Sequence, residues 1–514
     1  MKYILTFIIA LITFYTSVYA IDIVELKLPK SNKIVIKLMF KNGSICDPVG
    51  KEGLTYTTAN LVTAGGFGKM TLEQIQDKIY PMAANYDVSV DKEVTIFTFE
   101  VPKDYLMEFY PILKGLILNP SFTEADFNRI ITNQQNYVDQ VIRASSDEEY
   151  SKKALEDFLF RGTPYQHMKQ GKTASVKTIT LNDVKEHYKK FFTNTNVTIG
   201  IAGNYSTKFL SELKKDLGKL PSVKPVIPAA PKVKTPDGIN VEIISKDNAF
   251  GSAIFMGQPL NITRANDDFA ALMVANSYLG EHRKSYSKLY QLIREDRSMN
   301  YGDYSYIEWY ENGGANMLPP AGVPRSSNYF SIWIRPVQIA KQLKNQYAEL
   351  KDTKLGHAHF AIRMALMQVD KMINNGMTAE DFESTRSFLK SYMKLYINST
   401  GAQLGYLMDS KFYGRKDYIK EMDKLIDKLT LEDVNKAIKK YWSVNNMDIT
   451  IVTDKSEANE LMNSLKDNTE SPMTYSNVVK AGLPYYIPEL DNQAAKFKLN
   501  VKSVKIVNSE DTFK

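Results

Sequence analysis

Thr123-Glu-Ala-Asp-Phe127 opens a helical pattern, and Thr378-Ala-Glu-Asp-Phe382 opens another, 255 residues later. A second echo follows each, Thr180-Leu-Asn-Asp-Val184 and Thr430-Leu-Glu-Asp-Val434, offset by 250. Both then run through a Lys-Lys-aromatic helix end, Lys189-Lys190-Phe191 and Lys439-Lys440-Tyr441, into β-branched strands starting at Val197 and Ile449. Threonine ahead of acidic residues is an ordinary helix start: the hydroxyl accepts from a first-turn N–H and the acids suit the positive end. That explains each motif singly, and not their shared order and spacing. The chain therefore reads as a duplication, which can place a site between two similar units.

At 514 residues the chain exceeds one core and suits two domains of about 200–250 residues. Residues 3–20 carry no charge; behind Lys2 lies an apolar run closing on Val18-Tyr19-Ala20. This reads as a cleaved secretory signal at 1–20. The alternative is an uncleaved anchor, since about 18 apolar residues barely span a bilayer, and membrane association is expected only in that case. Losing Lys2 from 65 basic residues leaves 64 against 58 acidic, a charge of +6. Spread thinly and without a dense basic run, that charge points away from nucleic acid. Cys46 is the single cysteine, so no intramolecular disulfide can form, and it reads as a small buried hydrophobe. The Lys/Asn/Ile-rich composition and the signal suggest an exported protein, periplasmic in a Gram-negative bacterium.

Alternation at Ile34–Phe40 predicts a strand, 53–64 a helix stopped by Gly65-Gly66, and Tyr86–Val90 with Val94–Val101 a hairpin. Further helices are expected at 104–117, 124–143, 147–160 and 181–191. Residues 220–237 hold Pro221, Pro225, Pro228, Pro231 and Pro236 and read as a stiff linker. The second half restarts with a strand at Asn240–Ile244. Helices near 267–279 and 283–296 follow, then strands near 301–309 and 328–334, an irregular loop at 311–326, and helices at 338–375 (broken), 379–395, 401–411, 416–426 and 431–441. The expected fold is α+β, two homologous domains each with a mainly antiparallel sheet and helices packed on it, forming a clam-like chamber. The domains run 21–219 and 238–455, with a tail at 456–514.

In this frame the chain resembles the insulinase/pitrilysin family of inverted zinc peptidases. The segments Phe40-Lys-Asn-Gly-Ser44…Asp47-Pro48…Gly50-Lys-Glu-Gly-Leu54 are similar to the approach to that family's zinc helix. Leu116-Ile-Leu-Asn-Pro120-Ser-Phe122 resembles the turn before its glutamate helix, and Tyr188-Lys-Lys-Phe-Phe192…Asn196…Gly203-Asn204 the end of its first domain. The resemblance implies a His-x-x-Glu-His helix after Gly53-Leu54. Two histidines four apart share a helix face and ligate zinc, and the glutamate polarises the bound water. Here those positions fall on Tyr56, Ala59 and Asn60. The resemblance also implies a ligand glutamate on the later helix; residues 127–146 hold only Asp139 as an acid, and the aligned stretch reads Gln134-Gln135-Asn136. The five histidines, 167, 187, 282, 357 and 359, include no His-x-x-x-His pair. His357-Ala-His359 reads as a polar loop or helix-surface pair, and Glu148, Glu149 and Glu156 as a solvated helix face. No zinc or other cofactor is expected in this chain.

Leu292-Ile-Arg294-Glu-Asp-Arg-Ser-Met-Asn-Tyr301 resembles the family's Arg…Tyr element, in which both side chains reach toward the substrate backbone. Ser298 and Asn300 replace the small residues usual there. A guanidinium and a phenol are suitable donors to a peptide carbonyl or an oxyanion, so Arg294 and Tyr301 are the candidate peptide-binding residues. The alternative makes Arg294 a helix-terminal cap and Tyr301 the start of a strand. The resemblance implies a metal-free subunit paired with a zinc-bearing family member that carries the catalysis. The other readings are a stand-alone peptide- or protein-binding scaffold and an autonomous metallopeptidase with unorthodox ligands.

Overall fold

The structure is a computed structural model that describes residues 21–308 and 321–514. The signal read at 1–20 and most of the loop read at 311–326 lie outside the described residues. Among the described residues two sheets form. The first contains β1 (Asp22–Lys27), β2 (Lys33–Phe40), β3 (Asn85–Val90), β4 (Thr95–Pro102) and β5 (Val197–Gly203), in the order β1-β5-β2-β4-β3. The second contains β6 (Ile239–Lys246), β7 (Ser252–Leu260), β8 (Asp303–Tyr306), β9 (Asn328–Val337), β10 (Met447–Asp454) and β11 (Val501–Asn508), in the order β11-β6-β10-β7-β9-β8.

Setting β6, β10, β7, β9 and β8 against β1, β5, β2, β4 and β3 reproduces one order and one set of directions. The first pair is parallel and the other three are antiparallel in both sheets. The repeated threonines have one job: Thr123, Thr180, Thr378 and Thr430 each accept from the backbone N–H three residues on, that of Asp126, Asp183, Asp381 and Asp433. β5 and β10 are buried along their whole length. Such strands sit inside a sheet with both faces covered, which is why they read as β-branched runs rather than alternating ones.

The halves are joined by far more than the proline-rich segment. Helix Asp147–Leu159 of the first half packs on β7, β9 and β10 of the second sheet. Helix Thr400–Phe412 of the second half packs on β1, β2 and β5 of the first. The two helices are the same length and 253 residues apart, each capped by a serine, Ser146 and Ser399. Each domain thus lends one helix to the other's sheet. Ser151 and Thr450 fix the first exchange, with the Thr450 hydroxyl donating to the Ser151 carbonyl at 2.9 Å.

That exchange buries one of the three glutamates read as a solvated face, Glu156, and leaves Glu148 and Glu149 part-exposed. Glu156 is 3% exposed and accepts from Arg325 at 2.6 Å, while Glu148 accepts from Arg335 at 2.9 Å and Glu149 from Lys152 at 2.5 Å. The segment beyond 456 also does more than trail. Its β11 extends the second sheet parallel to β6, and Phe513 then packs on Tyr150 of the first half, ring centroids 5.6 Å apart. No helix of the described residues is long and apolar enough to cross a membrane.

Candidate functional site

Helix Leu54–Ala64 carries the positions of the expected metal motif. Its entry is set by Gly53 at φ +99°, where an added Cβ would lie 2.6 Å from the Gln170 carbonyl. Asp47 caps it, accepting from Gly53 N and Thr55 N at 2.7 Å each and from the Thr55 hydroxyl at 2.6 Å. None of the three positions offers a ligand set. Ala59 is wholly buried in the first core. Asn60 turns its amide back onto its own helix, donating to the Tyr56 carbonyl at 2.8 Å. Tyr56 is half-buried, and a neutral phenol is a poor zinc donor.

The later helix, Glu124–Asn136, brings Gln134 to this spot. Its Nε2 donates to Gly53 O at 3.1 Å and Gln170 O at 2.8 Å, and its Oε1 lies 2.8 Å from the Thr57 hydroxyl. Gln134 thus ties two helices together, with its carboxamide fully engaged. Asp139 is engaged too, accepting from the Thr173 hydroxyl at 2.5 Å. The residues present do not fit a zinc ion, and among the described residues no cluster of three metal-ligating side chains forms.

The histidines are structural. His187 Nε2 lies 3.0 Å from the Thr55 hydroxyl, and burial pulls its pKa down to about 4. His167 lies 3.2 Å from Asp47 Oδ2. The cluster Asp47–Thr55–His187–His167 braces the entry of the Leu54–Ala64 helix, and only the Asp47-Pro48 pair hinted at it in the sequence. His357 and His359 are buried, not a surface pair. His357 Nδ1 lies 2.9 Å from Gln338 Oε1 and His359 Nδ1 2.7 Å from Ser464 Oγ. They read as a polar loop or helix-surface pair, but the Ala358–Asn375 helix that they begin is buried in the second core over most of its length.

Arg294 and Tyr301 lie elsewhere, together. The helix expected over 283–296 is shorter, a π-helical segment at Tyr290–Glu295, and β8 begins at Asp303, two residues past Tyr301. Arg294 bonds the Tyr290 hydroxyl and Glu295 Oε1, the latter at 2.6 Å. Ser298 has φ +52°, a left-handed conformation that favours glycine, which accounts for the small residue usual at this position. Asn300 ties the following turn: it donates to Asp303 Oδ1 at 2.8 Å and the Arg335 carbonyl at 2.9 Å and accepts from Gly302 N at 3.1 Å. Arg294 and Tyr301 line one cavity of about 670 Å³ with Phe250, Met299, Val337 and Gln338. Tyr56, Ala59 and Asn60 are not part of its lining.

Residues 23–168 match the pattern described as insulinase (peptidase family M16), and residues 178–389 match the peptidase M16 inactive domain. The chain belongs to the insulinase family. Among curated relatives this insulinase-family chain is similar to the non-peptidase homolog YmxG of Helicobacter pylori, 22% identical over 427 residues, 82% of this chain and 89% of the relative. It is also similar to the uncharacterized zinc protease YmxG of Bacillus subtilis, 20% identical over 428 residues, 82% of this chain and 93% of the relative. In fold it is similar to a peptidase M16 inactive domain structure from Pseudomonas fluorescens, TM-score 0.71 at 18% identity, covering 85% of this chain and 96% of that one. Within the insulinase family this chain is an inactive homologue, lacking the donors that hold the metal.

Proposed function

We propose that this chain is the metal-free subunit of an exported peptidase. It pairs with a zinc-bearing family member carrying His-x-x-Glu-His and helps to hold the peptide that the partner cleaves. One observation carries this reading: Arg294 and Tyr301, seven residues apart, line one cavity, while the positions of the metal motif hold no donors. A chain kept only as a shell has no need of that pairing. Arg294 supplies directed N–H donors and Tyr301 a phenol, both able to meet a peptide carbonyl.

The test has two stages. Purification of the full chain from its own host, with mass spectrometry of what accompanies it in stoichiometric amount, is expected to recover a family member with the intact zinc motif. In that complex Arg294→Ala is expected to lower peptide cleavage roughly tenfold or more, the loss of one transition-state donor, with assembly intact. Unchanged cleavage removes the role given to Arg294. A monomer or self-dimer without such a partner moves the function to a peptide-binding scaffold.

A further inference from the structure

Phe250 stands on the same cavity as Arg294 and Tyr301, and nothing in the motif pattern marks it. Phe250 and Tyr301 are each 74% exposed. Single exposed aromatics are common on protein surfaces and need no explanation. Two on one cavity, each on an anchored turn, are a different matter. The Phe250 turn joins β6 to β7 and is tied on both sides of the ring. Its N–H donates to Asp147 Oδ2 at 3.1 Å, and its carbonyl accepts from Gln342 Nε2 at 2.6 Å. The next residue, Gly251, approaches β9 so closely that an added Cβ would lie 2.6 Å from the Val337 carbonyl. The Tyr301 turn is held by the three bonds of Asn300. Fixed backbone under an exposed ring is the arrangement that lowers the ordering cost of binding, because the aromatic anchor is already in place.

The lining states what the cavity accepts. Its cation and its anion, Arg294 and Glu295, are already in contact at 2.6 Å, so the cavity offers no net charge to a ligand. Met299, Pro336 and Val337 give it apolar wall beside neutral polar side chains, among them Asn300, Gln338 and Gln342. A volume of about 670 Å³ lies within the range of small-ligand sites, roughly 300–1,000 Å³, and is ample for one large side chain with its flanking backbone. We infer that Phe250 is a specificity-determining residue: with Tyr301 it clamps one uncharged apolar side chain of an extended peptide, whose backbone Arg294 then meets. This rests on the peptide-holding role proposed above and adds to it a preference at one peptide position.

The experiment uses the full chain in the assembly in which it is purified, and fluorescein-labelled nonapeptide mixtures with one position fixed as Leu, Ser or Lys, read by anisotropy. One fixed position is expected to show Leu bound about tenfold tighter than Ser or Lys, a discrimination typical of one apolar side chain in a pocket. Phe250→Ala should bring the three within twofold by weakening Leu-fixed binding most, and Phe250→Trp should restore the Leu preference. Because the ring is exposed, a thermal melt matching the parent chain is the expected control for folding. If Phe250→Ala keeps the Leu preference while Arg294→Ala still weakens every mixture, the clamp is wrong and the peptide-holding role stands. If no mixture binds the unmodified assembly, both fall.

Discussion

Arg325, on the segment leading into β9, grips Asp91, on the turn between β3 and β4, with two hydrogen bonds of 2.6 Å across 234 residues of sequence. The same guanidinium donates to Glu156 at 2.6 Å, and Lys92 lies 3.4 Å from the other oxygen of that carboxylate. Four charged side chains from both halves are thereby closed off from water. Burial pushes the Asp91 carboxyl up, but the Arg325 charge and hydrogen bonds, with the Lys169 and Lys92 charges, together outweigh it and hold the group below the usual carboxylate range.

Removing one member of a buried ion network strands the others, a cost of about 3–5 kcal/mol. Arg325→Ala is therefore expected to lower the urea midpoint and to let the two halves melt in separate transitions. Asp91 has a depressed folded pKa, so its contribution is present above its unfolded pKa near 4 and is lost as pH falls below that. In the variant this acid-sensitive component should vanish. An unfolding curve superimposable on that of the parent chain at pH 7 and pH 4 would sink the assignment.

The exchanged helices make a prediction about distance. Leu404 and Met408 of the second half pack with Val35, Met39 and Ile96 of the first sheet in a small cluster of their own. Leu404→Ala should cost about 2–4 kcal/mol as a buried large-to-small change. The loosening should show by hydrogen exchange in β2 and β5, more than 200 residues away in sequence. Faster exchange confined to the second half would argue against the exchange as a stabilising device.

Glu281 gives a pH prediction. Its side chain is fully buried beside Ser277, and burial raises its pKa from 4.5 to about 8. The folded state thus keeps a proton that the unfolded state gives up. The contribution is fully present below pH 4.5 and is lost as pH rises through about 8, a span worth on the order of 3–5 kcal/mol. Glu281→Gln, which keeps a neutral partner for Ser277, should match the parent near pH 4.5 and exceed it in stability at pH 8. Parallel pH profiles for the two proteins would show that Glu281 carries no such proton.

Rebuilding the lost motif tests the degenerate helix. Ala59 sits at 0% exposure in the first core, so Ala59→Glu buries a carboxyl without a partner and should destabilise by about 3 kcal/mol or more. The triple change Tyr56→His, Ala59→Glu and Asn60→His is expected to bind no stoichiometric zinc, because the stretch Gln134-Gln135-Asn136 supplies no carboxylate for a third ligand. Tight zinc by elemental analysis of the triple variant would overturn this.

The sequence by itself determined the duplication, the paired helix starts and the loss of metal donors, because these depend on signals a few residues long. Thr123, Thr180, Thr378 and Thr430 cap helices wherever those helices end up, and a chain lacking histidines four apart lacks them in any fold. The central strands were legible at Val197 and Ile449 for the same reason: a strand covered on both faces is rich in apolar and β-branched residues rather than alternating. Only the tertiary structure decided which surfaces are inside. Glu156 and the His357/His359 pair read as exposed, since polar residues favour water unless distant partners replace it, and Arg325, Gln338 and Ser464 are those partners. The same holds for the exchanged helices, for β11 alongside β6, and for Phe250 meeting Arg294 and Tyr301 on one cavity. Each brings together segments far apart in sequence, fixed by the tertiary fold rather than by any local preference.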